Sequence, residues 1–223
     1  MSKSQEPKRR RYNSTGRQEQ ASAQRLRILA AARRRFLESG YAATTLPAVA
    51  ADAQVSVETI YKAFRNKPGL LKAVFDFSVA GDDEPVPMID RAFANRMRSE
   101  PDPRTKLEIF AEHMSESMPR AAPVYLLARD AAASESEIAT LLRSWRDDQL
   151  AGLESLARTL NAEGLLRPGL TPETARDLLW TINSTEVYEL LVLERGWTPE
   201  GYRQYLADSM IGALLTPSEP GRP

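Results

Sequence analysis

The stretch Thr44–Lys67, TTLPAVAADAQVSVETIYKAFRNK, constrains this chain more than any other. It spells two short helices joined by a tight turn. Thr44 and Thr45 supply N-cap hydroxyls, and Pro47 falls in the first turn, where its missing N–H does no harm. Leu46, Val49 and Ala50 form the inner face of a helix that ends near Ala53, and Gln54-Val55 makes the turn. Ser56 then caps a second helix, Val57 to Phe64. On a helical wheel Ile60, Ala63 and Phe64 face inward, while Glu58, Thr59, Tyr61 and Lys62 face outward. A helix of about eight residues with so narrow an apolar strip is not stable alone. It must dock on its neighbours, which leaves its outer face free to read another molecule.

The neighbours supply the dock. Ala21 to Gly40 reads as a helix with Leu26, Leu29, Ala30, Phe36, Leu37 and the stem of Arg33 on one face, and Arg25, Arg27, Arg34 and Arg35 on the other. Pro68 to about Val79 is a further helix, apolar through Leu70, Leu71, Val74, Phe75 and Phe77. Residues 1–21 lack apolar periodicity and contain Lys8-Arg9-Arg10-Arg11; they read as a disordered basic arm, either a solvated tail or an arm lying on phosphates or in a minor groove. Net charge is zero, but residues 1–77 hold 15 Lys and Arg against 6 Asp and Glu, and residues 78–223 hold 15 against 24. Such asymmetry points to a cationic module that meets a polyanion, joined to an acidic body. The break Gly81–Pro87 puts the boundary near residue 82.

The body shows helical periodicity and no alternating strand pattern. The spacing predicts helices over Met88–Arg98, Pro103–Ala121, Pro123–Ala133, Glu135–Asn161, 172 to about 194, and 198–215. The fold class is therefore all-α: a helix-turn-helix unit over 22–82, with the motif at about 45–64, then a helical domain over 83–216 and a tail over 217–223. With no cysteine there is no disulfide, thiol nucleophile or Cys-type zinc site. One histidine leaves no visible nucleophile–base–orienter set, and Asp82-Asp83 and Asp147-Asp148 read as solvated surface, so an enzyme, a metal or a cofactor is not expected. No apolar run approaches the ~18 residues of a membrane span, and the N-terminus has no secretory h-region. A cytoplasmic, nucleoid-associated protein is the expectation.

Gly40-Tyr41, Thr44-Thr45-Leu46, Val49-Ala50, Ala53, Val55-Ser56, Thr59-Ile60-Tyr61, Phe64, Lys67 and Leu70 together resemble the DNA-binding domain of the TetR (tetracycline-repressor-like) family, over about residues 22–75. The resemblance implies a homodimeric bacterial transcription regulator, a repressor that releases a near-palindromic operator when a small effector binds. It implies that 22–82 is a DNA-binding domain and 83–216 an effector-binding and dimerisation domain. An activator, an effector-independent regulator and an interaction module that has lost DNA binding stand as alternatives. The resemblance places Val57, Glu58, Thr59 and Lys62 in the major groove and Thr45, Ser56, Tyr61 and Lys67 on phosphates; Arg25 and Thr44 complete the DNA-facing set. The chain departs from the family pattern at Gln54, where Gly is common and a left-handed Gln costs ~1–2 kcal/mol, and at Val57-Glu58, where Lys-Gly is common. Glu58 either reads a cytosine or is a solvated residue favouring the first helical turn.

In the body, polar residues on apolar arcs mark candidate effector contacts. Gln149 lies between Trp145 and Leu153, beside the space left by Gly152, and Glu186 lies among Leu179, Ile182, Leu190 and Leu193. Each needs a partner, which is another side chain, a second subunit or a ligand. Phe110, Met114 and Met118 read as pocket lining or plain core, with His113 at the flank of their arc. Helix 172–194 carries a second apolar side through Trp180, Val187 and Leu191, and the last helix carries Tyr202, Tyr205, Leu206, Ser209, Gly212 and Ala213. Residues about 172–215 are accordingly expected to build a two-fold, four-helix homodimer interface.

Overall fold

The computed structural model describes residues 14–216. Among them the chain forms ten α-helices and no strand. The head comprises α1 (Ser14–Ala43), α2 (Leu46–Ala53), α3 (Val57–Phe64) and α4 (Lys67–Ala80). A short 3₁₀ turn at Met88–Asp90 leads to α5 (Ala92–Ser99). The body continues with α6 (Pro103–Ala131), α7 (Ser136–Ala162), α8 (Pro172–Ile182), α9 (Thr185–Tyr188), which runs on as a π-helical Glu189–Glu194, and α10 (Pro199–Leu214).

Helix α1 begins at Ser14 rather than Ala21, so part of the expected arm is helical; Lys8–Arg11 lie outside the described residues. Arg, Gln and Glu are good helix formers, and Arg17-Gln18-Glu19-Gln20 carry the helix N-terminal of Ala21 without an apolar stripe. Its buried face is also rotated from the expected one. Leu26 and Ala30 are exposed, and Ile28, Ala31 and Ala32 are buried beside Leu29 and Phe36. At Gly40 (φ 81, ψ 166) the helix breaks before one last turn through Tyr41–Ala43.

Two proline-containing segments expected as separate helices are one helix, α6, with Pro119 and Pro123 inside it. A proline in a helix interior costs ~3 kcal/mol or more. Met118, Ala121, Ala122, Val124 and Tyr125 are buried around the two rings, and that packing offsets the cost. Conversely, the segment expected as one helix over 172–194 is two. Asn183 leaves helical geometry, and the Ser184 hydroxyl accepts from the Val187 N–H to restart the chain as α9.

Two apolar clusters hold the molecule. The first joins head to body: Ile28, Phe36, Val49, Ile60, Phe64 and Leu71 are continuous with Val124, Tyr125, Ile138 and Trp145. The second lies within the body, where Leu107, Leu153, Leu160 and Leu179 pack with Tyr202, Leu206 and Met210 of α10.

Candidate nucleic-acid interface and ligand cavity

Local chemistry fixes the angle between α2 and α3. The Thr45 hydroxyl accepts from the Ala48 N–H at 3.3 Å, and the Ser56 hydroxyl accepts from the Thr59 N–H at 3.3 Å. Gln54 takes the left-handed conformation (φ 56, ψ 49), so the turn keeps the geometry that glycine would favour. Beyond α3, Arg65 (φ 70, ψ −54) forms a tight γ-turn in which the Asn66 N–H donates to the Phe64 carbonyl at 2.9 Å. Asn66 caps α4 by accepting from the Gly69 N–H at 2.8 Å. A Cβ on Gly69 would lie 2.1 Å from the Phe64 carbonyl oxygen, so this glycine sets how closely α4 approaches the end of α3. Sequence periodicity gave no sign of Gly69, because a close backbone approach leaves no mark on an apolar pattern.

Ile60 and Phe64 of α3 are buried, and Val57 and Thr59 are half-buried. Glu58, Tyr61 (53% exposed) and Lys62 stand out from the head. The Glu58 carboxyl is held below its usual range by its own backbone N–H and by the Ser56 hydroxyl, which ties it to the start of α3. Thr45 and Ser56 are exposed at the starts of α2 and α3, where free N–H groups favour an anion. Lys67 donates to the carbonyls of Tyr41 (2.9 Å) and Ala42 (3.4 Å), with its ammonium 4.1 Å from the Tyr41 ring centroid.

Thr44 and Arg25 sit differently from the expectation. The kink at Gly40 turns Thr44 inward, where it is buried and donates to the Gly40 carbonyl at 2.8 Å. Arg25 is turned away from the outer face by Asp83, to which its Nε donates at 2.8 and 2.9 Å. Arg27, Arg33, Arg34 and Arg35 of α1 are also committed within the protein. Arg34 and Arg35 both bind Asp52 of α2, and they hold its carboxyl down at about 2. Arg27 donates to the Ala53 carbonyl at 3.4 Å and Arg33 to the Arg120 carbonyl at 3.3 Å. The basic face of α1 is therefore largely the clamp on α2 and α6.

A cavity of about 1080 Å³ opens between the end of α4, the loop after it, and α5, α6 and α7. Phe110, His113, Met114, Met118, Trp145 and Gln149 all line it, as does Gly152. Glu186 does not. The break at Asn183 moves it onto α9, half-exposed, 3.9 Å from Arg146, and brings Asn183 and Thr185 to the wall instead. Phe93 and His113 stack at 3.6 Å between centroids, and Phe75 of α4 stacks on Trp145 of α7 at 3.9 Å. Burial, and then the charges of Arg120 and Arg91, lower the His113 pKa to about 4, so the imidazole is neutral. Asn183, Arg91 and Phe93 were missed in the sequence. Asn183-Ser184-Thr185 does carry a legible stop-and-restart signal, whereas Phe93 lies in a segment too short for periodicity.

On the outer side of the body, Trp180, Leu190, Leu193 and Trp197 are 40–53% exposed. Leu190 and Leu193 were expected to face inward, and Val187 and Leu191 are half-buried instead; the break and the π-helical turn rotate this segment. On α10, Tyr202 and Leu206 turn into the protomer's own core, while a Cβ on Gly212 would meet nothing within 4 Å. Among the described residues no helix is long and apolar enough to cross a membrane, and no group of three or more His, Asp or Glu is placed to hold a metal ion.

Helices α2 and α3 thus form a helix-turn-helix docked against further helices that surround a cavity. Residues 28–74 match the model for bacterial regulatory proteins of the tetR family. This match covers the helix-turn-helix segment alone; over the rest of the chain the likeness to solved structures is one of fold. No curated protein matches the sequence. Among solved structures, it is similar to NalD of Pseudomonas aeruginosa, the secondary repressor of the MexAB-OprM multidrug efflux pump (20% identity, 91% of this chain and 100% of that one, TM-score 0.66). It is similar also to the fatty acid degradation regulator FadR of Bacillus halodurans (22%, 84% and 98%, TM-score 0.68). A Saccharomonospora viridis protein described as a transcriptional regulator, solved in complex with choline, is a third (19%, 86% and 98%, TM-score 0.64). At these identities the likeness establishes the fold.

Proposed function

We propose that the protein is a cytoplasmic, nucleoid-associated repressor that binds a near-palindromic operator as a homodimer and releases it when a small molecule enters the body cavity. The observation that carries this is the pairing of an outward α3, bearing Glu58, Tyr61 and Lys62, with a 1080 Å³ cavity walled partly by the end of α4. Residues 22–82 act as the DNA-binding domain and 83–216 as the effector and dimer domain. Val57, Glu58, Thr59 and Lys62 face bases, and Thr45, Ser56, Tyr61 and Lys67 face phosphates. Helices α8 to α10 pair with their two-fold copies through Trp180, Leu190, Leu193 and the open face at Gly212, burying apolar surface left exposed in one protomer. Two copies of α3 then present themselves about one DNA turn apart, ~34–36 Å, or further for a wider site. The efflux-pump repressor and the choline-bound regulator of like fold support repression and small-molecule binding respectively.

The test is footprinting on the DNA flanking the protein's own gene across a salt series, with sedimentation to give the mass of the free and bound species. A protected, near-symmetric site bound by a dimer, with affinity falling steeply as salt rises, is the expected result. Absence of any protected site across the source genome rejects the reading.

A further inference from the structure

The cavity wall contains polar atoms that the protein itself leaves without partners. Trp145 is 5% exposed, and its Nε1–H has no acceptor among the described residues. Asn183 is 2% exposed; its Oδ1 has no donor, and its side-chain amide makes no hydrogen bond there. The Arg91 Nε–H is likewise buried and unpaired, although the rest of that guanidinium binds Asp82 at 2.7 and 3.1 Å. A buried polar group left unsatisfied forfeits the hydrogen bonds it made to water. All three residues line the same cavity, although the atoms themselves are covered, so an occupant that reaches them by a small side-chain movement recovers what folding leaves unmet.

Glu84, Arg98 and Asp148 line the cavity without an ion-pair partner among the described residues, but they are exposed; the less exposed charges are matched. Arg91 is paired with Asp82, Arg25 with Asp83, and the buried Lys106 ammonium with Glu163 at 2.8 Å. The neutral His113 adds none. Much of the rest of the wall is apolar and adaptable through Phe93, Phe110, Met114, Met118 and Leu153, with Gln149 as a further uncharged polar group. A carboxylate or ammonium brought past the exposed Glu84, Arg98 and Asp148 would lose its hydration without gaining a free counter-charge among the buried side chains.

The geometry points to an uncharged, largely apolar ligand that carries a carbonyl-type acceptor for the Trp145 and Arg91 N–H groups and an N–H or O–H donor for Asn183. This names the chemical class of effector and rests on the reading of the cavity as the effector site. Trp145 is the atom-level sensor: its ring contacts the ligand on one side and stacks on Phe75 of α4 on the other. Gly152, whose added Cβ would meet no atom within 4 Å, keeps space open beside it.

Three probes of one chain length separate the charge classes: decanamide, decanoate and decyltrimethylammonium. Their affinities for the full chain are read by tryptophan fluorescence and calorimetry, and their effect on operator binding by anisotropy. Decanamide is expected to bind at least about tenfold more tightly than either ion. Trp145→Phe and Asn183→Leu are each expected to weaken decanamide about tenfold while the ions change little. Gly152→Leu, which fills the space and adds helix propensity, is expected to abolish amide binding with the melting temperature kept or raised, and so decides the matter if the other two variants fold poorly. Tighter binding of either ion, no binding of decanamide up to its solubility limit, or unchanged amide affinity in all folded variants overturns the ligand class. If decanamide binds as expected yet operator affinity is unmoved, the ligand class stands and the effector role of the cavity falls.

Discussion

The Nε of Arg25 lies 2.9 and 2.8 Å from the two carboxylate oxygens of Asp83, while its guanidinium carbon sits 4.9 Å from the Phe64 ring centroid. One side chain thus touches the last residue of the outward helix and a residue of the cavity wall. Such a partly exposed pair is worth only ~0.5–1 kcal/mol, but it joins the end of α3 to the cavity wall. Arg25→Gln, Asp83→Asn and the double variant should lose the same small amount of stability, because all three break one interaction. Urea titrations of the set check this. In operator binding, Arg25→Gln should leave the slope of log affinity against log salt unchanged, whereas a lost phosphate contact would lower it by ~0.9.

The Tyr61 and Lys62 side chains project from α3 and make no hydrogen bond among the described residues. Tyr61→Ala and Lys62→Ala should each weaken operator binding by about tenfold, in line with ~1–3 kcal/mol per recognition contact. Their melting temperatures should stay close to that of the unmodified chain, since no packing is removed. Unchanged affinity in both would take this helix out of the groove.

Glycine has opposite meanings at two turns of the head. Gln54→Gly should stabilise by about 0.5–1 kcal/mol, because residue 54 is left-handed and glycine adopts that region at no steric cost. Gly69→Ala should destabilise by about 1–3 kcal/mol, since its Cβ would overlap the Phe64 carbonyl, although alanine is otherwise the better helix former. Denaturant midpoints of the two variants decide both signs.

His113 couples the body to pH. Its folded pKa is about 4 against an ordinary value of 6.5, so between those values the unfolded chain takes up a proton that the buried imidazole refuses. Stability is therefore fully present above pH about 6.5 and falls as pH drops towards about 4. His113→Gln should flatten this part of the stability profile, measured as melting temperature from pH 7 to 4.5. Parallel profiles for the two proteins would show that His113 is not the group responsible.

Much of the head was legible because its signals are local. Thr45, Pro47, Ser56 and the spacing of Leu46, Val49, Ile60 and Phe64 declare two short helices whose bounds in the structure are Leu46–Ala53 and Val57–Phe64. Caps act within three residues and periodicity within one turn, so neither needs the rest of the chain. That Phe110, Met114, Met118, Trp145 and Gln149 share one face of each of two long helices was legible in the same way, but whether those faces line a cavity or pack as core was not.

What the tertiary structure alone decided depends on partners distant in the chain. Periodicity says that Arg25, Arg34 and Arg35 lie outside an apolar stripe, but only packing brings Asp83 and Asp52 to them and turns a basic face into a clamp. Pro119 and Pro123 read as a helix end until the packing around α6 offsets their cost. Asn183 breaks a helix that apolar spacing alone would continue, and in doing so exchanges Glu186 for itself at the cavity wall. A sequence states each residue's own preferences over a few neighbours; which preference prevails is set by contacts made across the fold, and the unpartnered Trp145 and Asn183 are visible only once those contacts are complete.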